Sequence, residues 1–128
     1  LIYALQNKMD YALVKNKKGR FILPSLTSVT AAGNINLPAD AKIFLTDTEA
    51  ADGYPICGFT WALIYKEQNY NGRTAARATT LLKLLWWNIH EGQQYTTPLN
   101  YAPLSKQALQ VAEKILKSAT YNGKPILK

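Results

Sequence analysis

Residues 54–65 read Tyr-Pro-Ile-Cys-Gly-Phe-Thr-Trp-Ala-Leu-Ile-Tyr. Within them Phe59, Trp61, Leu63 and Tyr65 alternate with Thr60, Ala62 and Ile64, so an extended backbone carries apolar groups on both faces. Such a strand predicts a place inside a sheet that is covered on both sides. Cover of the right kind lies downstream. Over residues 73–91, Ala78, Leu81, Leu82, Leu85 and Ile89 recur at intervals of three and four, and Gly92 falls just past the end, which predicts a core helix. Ser105 is the N-cap of a second helix running to about Ser118, with Ala108, Ala112 and Ile115 as its apolar stripe, extended by Leu109 and Leu116. The tail Tyr121-Asn122-Gly123-Lys124-Pro125 reads as a turn.

Upstream, Tyr11 to Asn16 and Arg20 to Leu23 predict a hairpin around Asn16-Lys17-Lys18-Gly19, where Gly19 supplies positive φ. Pro24 stops the second strand, Ser25 caps a short helix through Ala32, and Gly33 stands where a left-handed cap is wanted. Lys42 to Leu45 predicts a strand. The polar run from Thr46 to Gly53 is a solvated loop, and its acids lack the alternating spacing of a calcium loop. Without repeats, low-complexity runs or flexible linkers, the chain reads as one α/β unit with few strands for its helices.

Composition narrows the function classes. The 128 residues are 48% hydrophobic and 18% charged, enough apolar material for one core and too much for disorder. No apolar run reaches the ~18 residues of a membrane span, and Leu1 to Met9 has neither the cationic start nor the apolar middle of a signal peptide. The net charge of +7 favours anions in general, and it divides as +3 over residues 1–40, −2 over 41–72 and +6 over 73–128. One cysteine, Cys57, excludes an internal disulfide, and one histidine, His90, excludes a multi-histidine metal site.

The remaining chemistries fail on residue type or position. Cys57 and His90 could form a thiol-imidazole dyad, but Cys57 falls in the apolar strand and His90 in the last turn of a helix, where a cation suits the dipole. His90-Glu91-Gly92-Gln93-Gln94 imitates a zinc-protease motif, with glutamine in place of the second histidine. Gly53 to Gly58 is not followed by the Lys-Ser or Lys-Thr of a phosphate loop. Lys15, Lys17, Lys18 and Arg20 lie near Tyr11 and Phe21, but a turn without an aromatic ladder is a solvated tip before it is a nucleic-acid site. No catalytic, metal-binding or cofactor-binding residue emerges, and the expectation is a protein that is not an enzyme. A helix that buries Leu81, Leu82, Leu85 and Ile89 cannot bury Leu84, Trp86 and Trp87 on the same side. Those three mark either an interface or a helix held between a sheet and a second helix.

Taken in order, several segments resemble the C-terminal part of the periplasmic phosphate-binding protein family, the substrate-binding component of phosphate ABC transporters. Tyr3-Ala4-Leu5-Gln6-Asn7-Lys8-Met9, Tyr11-Ala12-Leu13 and the Asn16 to Gly19 turn resemble the stretch after that family's Gly-Tyr-Val-Glu strand. Tyr54-Pro55-Ile56 and the run from Thr60 to Lys66 resemble its Tyr-Pro-Ile segment and following strand. Leu84-Leu85-Trp86-Trp87 with Gly92, then Leu99-Asn100-Tyr101-Ala102-Pro103-Leu104, resemble its Phe-Phe-x-Trp and Leu-x-Tyr-Ala-Pro-Leu signatures, and Gly123-Lys124-Pro125-Ile126 its tail. Two positions depart from the pattern. Cys57 stands where a small polar residue or glycine is expected, and Trp86 where the family commonly has an acid.

The resemblance implies the C-terminal portion of a type II periplasmic-binding fold, an α/β architecture of two lobes that is incomplete here. Residues 1–54 would end the second lobe, 55–58 would cross at the hinge, and 59–128 would complete the first lobe against strands supplied by other sequence. It further implies phosphate as ligand, an ABC permease as partner, and a periplasmic or cell-surface location. The family's phosphate ligands come from earlier sequence, so no ligand-binding residue is expected in this segment, and a complementing chain or N-terminal part is the expected partner. The contrasting expectation is a non-enzymatic interaction subunit that keeps half of this fold and docks through Leu84, Trp86 and Trp87.

Overall fold

The helices that open at Ser25, Thr74 and Ser105 each begin where that side chain accepts from a free backbone N–H of the first turn. The structure, a computed structural model, describes residues 1–128. After a short helix α1 (Ile2–Gln6), strands β1 (Val14–Lys15) and β2 (Phe21–Ile22) pair antiparallel, Val14 opposite Ile22. Gly19 takes φ 80° in their turn, as expected. Helix α2 (Leu26–Ala32) opens on a reciprocal capping box between Ser25 and Ser28. Helix α3 (Ala75–Ile89) is capped by Thr74 and helix α4 (Lys106–Lys117) by Ser105. Two 3₁₀ turns, Glu91–Tyr95 and Thr97–Leu99, connect them. Strands β3 (Thr120–Tyr121) and β4 (Lys124–Pro125) close the chain as a second hairpin, with Asn122 and Gly123 at φ 52° and 72°.

Helices and two small antiparallel sheets make up the structure, an arrangement compatible with an α/β fold, and four expectations need correction. Residues 54–65 form no strand and enter no sheet. The chain offers no second strand long enough to lie beside them, and a lone strand has no ladder of its own. Lys42 to Leu45 forms no strand for the same reason. Gly33 sits at φ −85°, not in the left-handed region. Space is tight there instead, since a Cβ would lie 3.0 Å from Ser105 Oγ. The tail is a paired hairpin and not a simple turn.

Packing concentrates between α3, α4 and the last hairpin. Leu82, Leu116 and Ala119 form the buried centre, ringed by Ile64, Leu81, Leu85, Trp86, Ile89, Ile126 and Leu127. A smaller centre around α2 holds Ala32, Leu45 and Gly53. Asn16 ties the first hairpin to it, donating from Nδ2 to Ala51 O at 2.9 Å and Gly53 O at 3.2 Å. The two centres are joined by Thr30 Oγ1 donating to Pro103 O at 2.8 Å and Ser105 Oγ donating to Gly33 O at 2.7 Å. Only 15 residues are buried, and the surface is 8768 Å², where a compact monomer of this mass exposes about 6,800 Å². Much apolar surface therefore remains open.

Candidate functional site

An apolar groove of about 630 Å³ opens beside helices α3 and α4. The segment before Lys66 forms one wall, through Phe59, Trp61 and Ile64. Opposite lie Leu85 and Ile89 of α3 and Val111, Ala112 and Ile115 of α4, the stripes whose spacing marks them as core faces. The segment is braced by Trp61 Nε1, which donates to Ala41 O at 3.2 Å, and by Phe59 packing edge-on against Trp61 with ring centroids 6.2 Å apart. No charged side chain lines the groove. It accommodates apolar groups and offers no cationic donor to an anion.

At the far side of α3, the imidazole of His90 joins α3 to α4. Nδ1 donates to Trp86 O at 2.9 Å, and Nε2 lies 2.8 Å from Glu113 Oε1. Both ring nitrogens thus face acceptors, which favours the doubly protonated ring. The Trp86 carbonyl and then Glu113 hold its pKa above the ordinary value, against partial desolvation. Trp86 stacks on this ring at 4.4 Å and carries Lys117 Nζ 5.5 Å from its centroid. Leu84 and Trp87 instead point outward, 53% and 41% exposed. Trp87 lies against Gly92, where a Cβ would come within 3.2 Å of its ring, and its centroid is 6.0 Å from that of Tyr95. Leu84, Trp86 and Trp87 therefore do not share one face.

Other singled-out residues are absorbed by local structure. Lys17 and Lys18 both pair with Glu49, and Arg20 Nη1 lies 2.5 Å from Asp52 Oδ1. The Lys17 and Lys18 ammonium groups hold the Glu49 carboxyl at about 2. The basic hairpin tip is thus matched by the acidic loop that follows α2, a long-range pairing with no local sequence signal. Cys57 Sγ donates to Tyr54 O at 3.0 Å, and burial pushes its thiol up to about 11. His90 and Cys57 have separate partners and form no dyad.

Two residues not anticipated from sequence organise the junction between the segment before Lys66 and α3. Glu67 accepts from the N–H groups of Asn69, Asn122 and Gly123 at 2.9, 2.9 and 3.1 Å and from Thr120 Oγ1 at 2.8 Å. These bonds, that of Asn69 foremost, hold its carboxyl at about 2. Gln68 is fully buried and accepts from Arg73 Nη1 at 2.8 Å, while the Arg73 guanidinium lies 4.7 Å from the Tyr70 ring centroid. An Asx-rich turn at Asn69 and Asn122 is the one signal that could have pointed there.

No protein-family model matches the chain. Among curated proteins, "Phosphate-binding protein PstS" of Xylella fastidiosa (strain 9a5c) is 30% identical over 116 residues, 88% of this chain and 31% of that protein. The protein of the same name from Pasteurella multocida is 28% identical over 111 residues, 84% of this chain and 31% of the relative. That from Methanocaldococcus jannaschii is 30% identical over 113 residues, 80% and 28%. The chain spans less than a third of the length of these relatives. Its similarity is to phosphate-binding proteins, at low identity, and extends over most of its own length.

Proposed function

We propose that this chain is the C-terminal part of the phosphate-capturing component of an ABC-type uptake system, acting by ligand binding and not by catalysis. The carrying observation is the similarity to phosphate-binding proteins over 88% of the chain. In this reading residues 1–54 end the second lobe of a type II periplasmic-binding fold, 55–58 cross the hinge, and 59–128 complete the first lobe. The phosphate ligands belong to the other part of the protein, in line with a groove that carries no charge. The system would work in the periplasm or at the cell surface and deliver phosphate to a permease.

Two titrations with inorganic phosphate test this. The purified 128-residue chain is expected to show no saturable binding below the millimolar range. A chimera in which it replaces the matched segment of the Xylella fastidiosa relative is expected to bind in the micromolar range. Micromolar binding by the chain alone would place the ligands within it. A chimera that folds cooperatively yet ignores phosphate would favour the second reading, a non-enzymatic interaction subunit docking through the surface around Leu84, Trp86 and Trp87. The exposure of Leu84 and Trp87 is the observation behind that reading.

A further inference from the structure

The dipeptide Asn-Gly occurs twice, at Asn71-Gly72 and Asn122-Gly123, and both copies adopt the same backbone. Asn71 and Gly72 take φ 49° and 68°, and Asn122 and Gly123 take φ 52° and 72°, the paired positive angles of a tight turn. Their surroundings differ. The Asn122 and Gly123 N–H groups donate to Glu67 at 2.9 and 3.1 Å, Asn122 Oδ1 accepts from Asn69 Nδ2, and strands β3 and β4 pair on either side. Neither the Gly72 N–H nor the Asn71 side chain has a hydrogen-bond partner in the chain, and both residues are exposed. Apart from its chain neighbours, no atom lies within 4 Å of where a Gly72 Cβ would stand. A single bond closes this turn, from Arg73 N–H to Tyr70 O at 3.0 Å.

We propose that Asn71 is a site of spontaneous deamidation, and that Asn122, in the same dipeptide and the same turn, is protected by its bonds to Glu67 and Asn69. The Gly72 backbone nitrogen attacks Asn71 Cγ and forms an N–Cγ bond. The Cγ–Nδ2 bond breaks, and Nδ2 leaves as ammonia with the proton that Gly72 gives up. Water then opens the cyclic imide at one of its two carbonyls, leaving aspartate or isoaspartate. Glycine permits the approach because it has no Cβ to obstruct the nitrogen. The attack also requires rotation about the Asn71 ψ angle and a free N–H. At Asn71 that rotation breaks one turn bond, whereas at Asn122 it breaks both bonds to Glu67 and the hairpin register with them. Asp52-Gly53, which closes the same imide with loss of water, is likewise held. Gly53 N–H donates to Ala50 O at 3.0 Å, and the Asp52 carboxylate pairs with Arg20.

The product alters the charge of a defined place. Asn71 lines a pocket of about 310 Å³ together with Tyr70, Arg73, Arg77 and Leu81. Helix α3, which begins just beyond, has no acid in its first turn and carries Arg77 there. Deamidation sets a carboxylate beside two guanidinium groups and ahead of a helix N-terminus, where negative charge is favourable. It lowers the net charge of +7 by one. The inference is independent of what the protein binds.

The test is peptide mapping by mass spectrometry on the complete purified chain, incubated at mildly alkaline pH both folded and in denaturant. Cleavage after lysine and arginine separates the two sites into residues 67–73 and 118–128, and each conversion adds about one mass unit and one negative charge. In the folded chain Asn71 is expected to convert about tenfold or more faster than Asn122, with isoaspartate among the products. In denaturant the two rates should converge, because the sequence is the same and the bonds are gone. Glu67→Ala should speed conversion at Asn122 with little effect at Asn71. Equal rates in the folded chain, faster conversion at Asn122, or a stable Asn71 while the denatured chain reacts would each overturn the proposal. Rates on the unvaried chain decide it even if Glu67→Ala fails to fold. A folded Glu67→Ala chain with Asn122 still slow would remove the protective part assigned to Glu67.

Discussion

Glu67 and Ile64 stand three residues apart under opposite conditions. The Glu67 carboxylate accepts four donors, three of them backbone N–H groups. From Ile64 back to Ile56 no backbone group has a partner in the chain. The difference is one of partners. Glu67 finds most of its donors in the closing hairpin, more than fifty positions on, whereas no element of the chain pairs with the backbone from Ile56 to Ile64. The turns and the hairpin after Lys66 are therefore self-sufficient in backbone pairing, and the segment before them is not.

The strongest way to break that contrast is to attack the self-sufficient side. Leu82 is fully buried, and Leu82→Ala should cost about 2–5 kcal/mol of stability in denaturant unfolding. Exchange at Phe59 to Ile64 should change little, since those amides are already open. Acid attacks the same unit more selectively. The Glu67 carboxyl falls from its ordinary 4.5 to about 2 on folding, so its contribution is complete above about pH 4.5 and disappears as pH drops toward 2. Loss of amide protection at Asn122 and Gly123 ahead of α3 would locate the effect, and Glu67→Ala should produce it at neutral pH. His90 should act in the opposite direction. Its pKa is raised, so its contribution is complete below the ordinary 6.5 and is lost as pH rises through the folded value. As the only histidine it can be followed alone by NMR, and Glu113→Gln should lower its midpoint. The smallest effect belongs to Leu63→Thr, expected within about 0.5 kcal/mol for the isolated chain because Leu63 is 94% exposed. A large loss would mean that Leu63 is covered and the contrast is false.

The helices were legible because their signals are local. Ser25 and Ser105 act as the expected caps, and the stripes Leu81, Leu82, Leu85 and Ala108, Ala112, Ile115 face the buried centre or the groove beside it. Gly19 marks the first hairpin turn for the same reason. What depends on distant partners was less readable. The pairing of Glu49 with Lys17 and Lys18 spans some thirty positions of chain, and the Glu67 clamp more than fifty, so neither leaves a pattern in any short window. Periodicity likewise predicted residues 54–65 as a strand, but the structure assigns none there and pairs the segment with no neighbour. Trp86 and Trp87 were grouped because they adjoin in sequence, yet a helix turns adjacent residues about 100° apart, and one stacks on His90 while the other faces out.

The thiol of Cys57 sits inside the unpaired run, and it is the only one in the chain. With its pKa pushed up to about 11, about one molecule in ten thousand carries the reactive thiolate at pH 7. Alkylation at neutral pH will accordingly be slow, uniform and confined to one atom. That turns the residue into a built-in clock: its modification rate reads how the segment is packed at any moment, in unpurified mixtures and without engineering the chain.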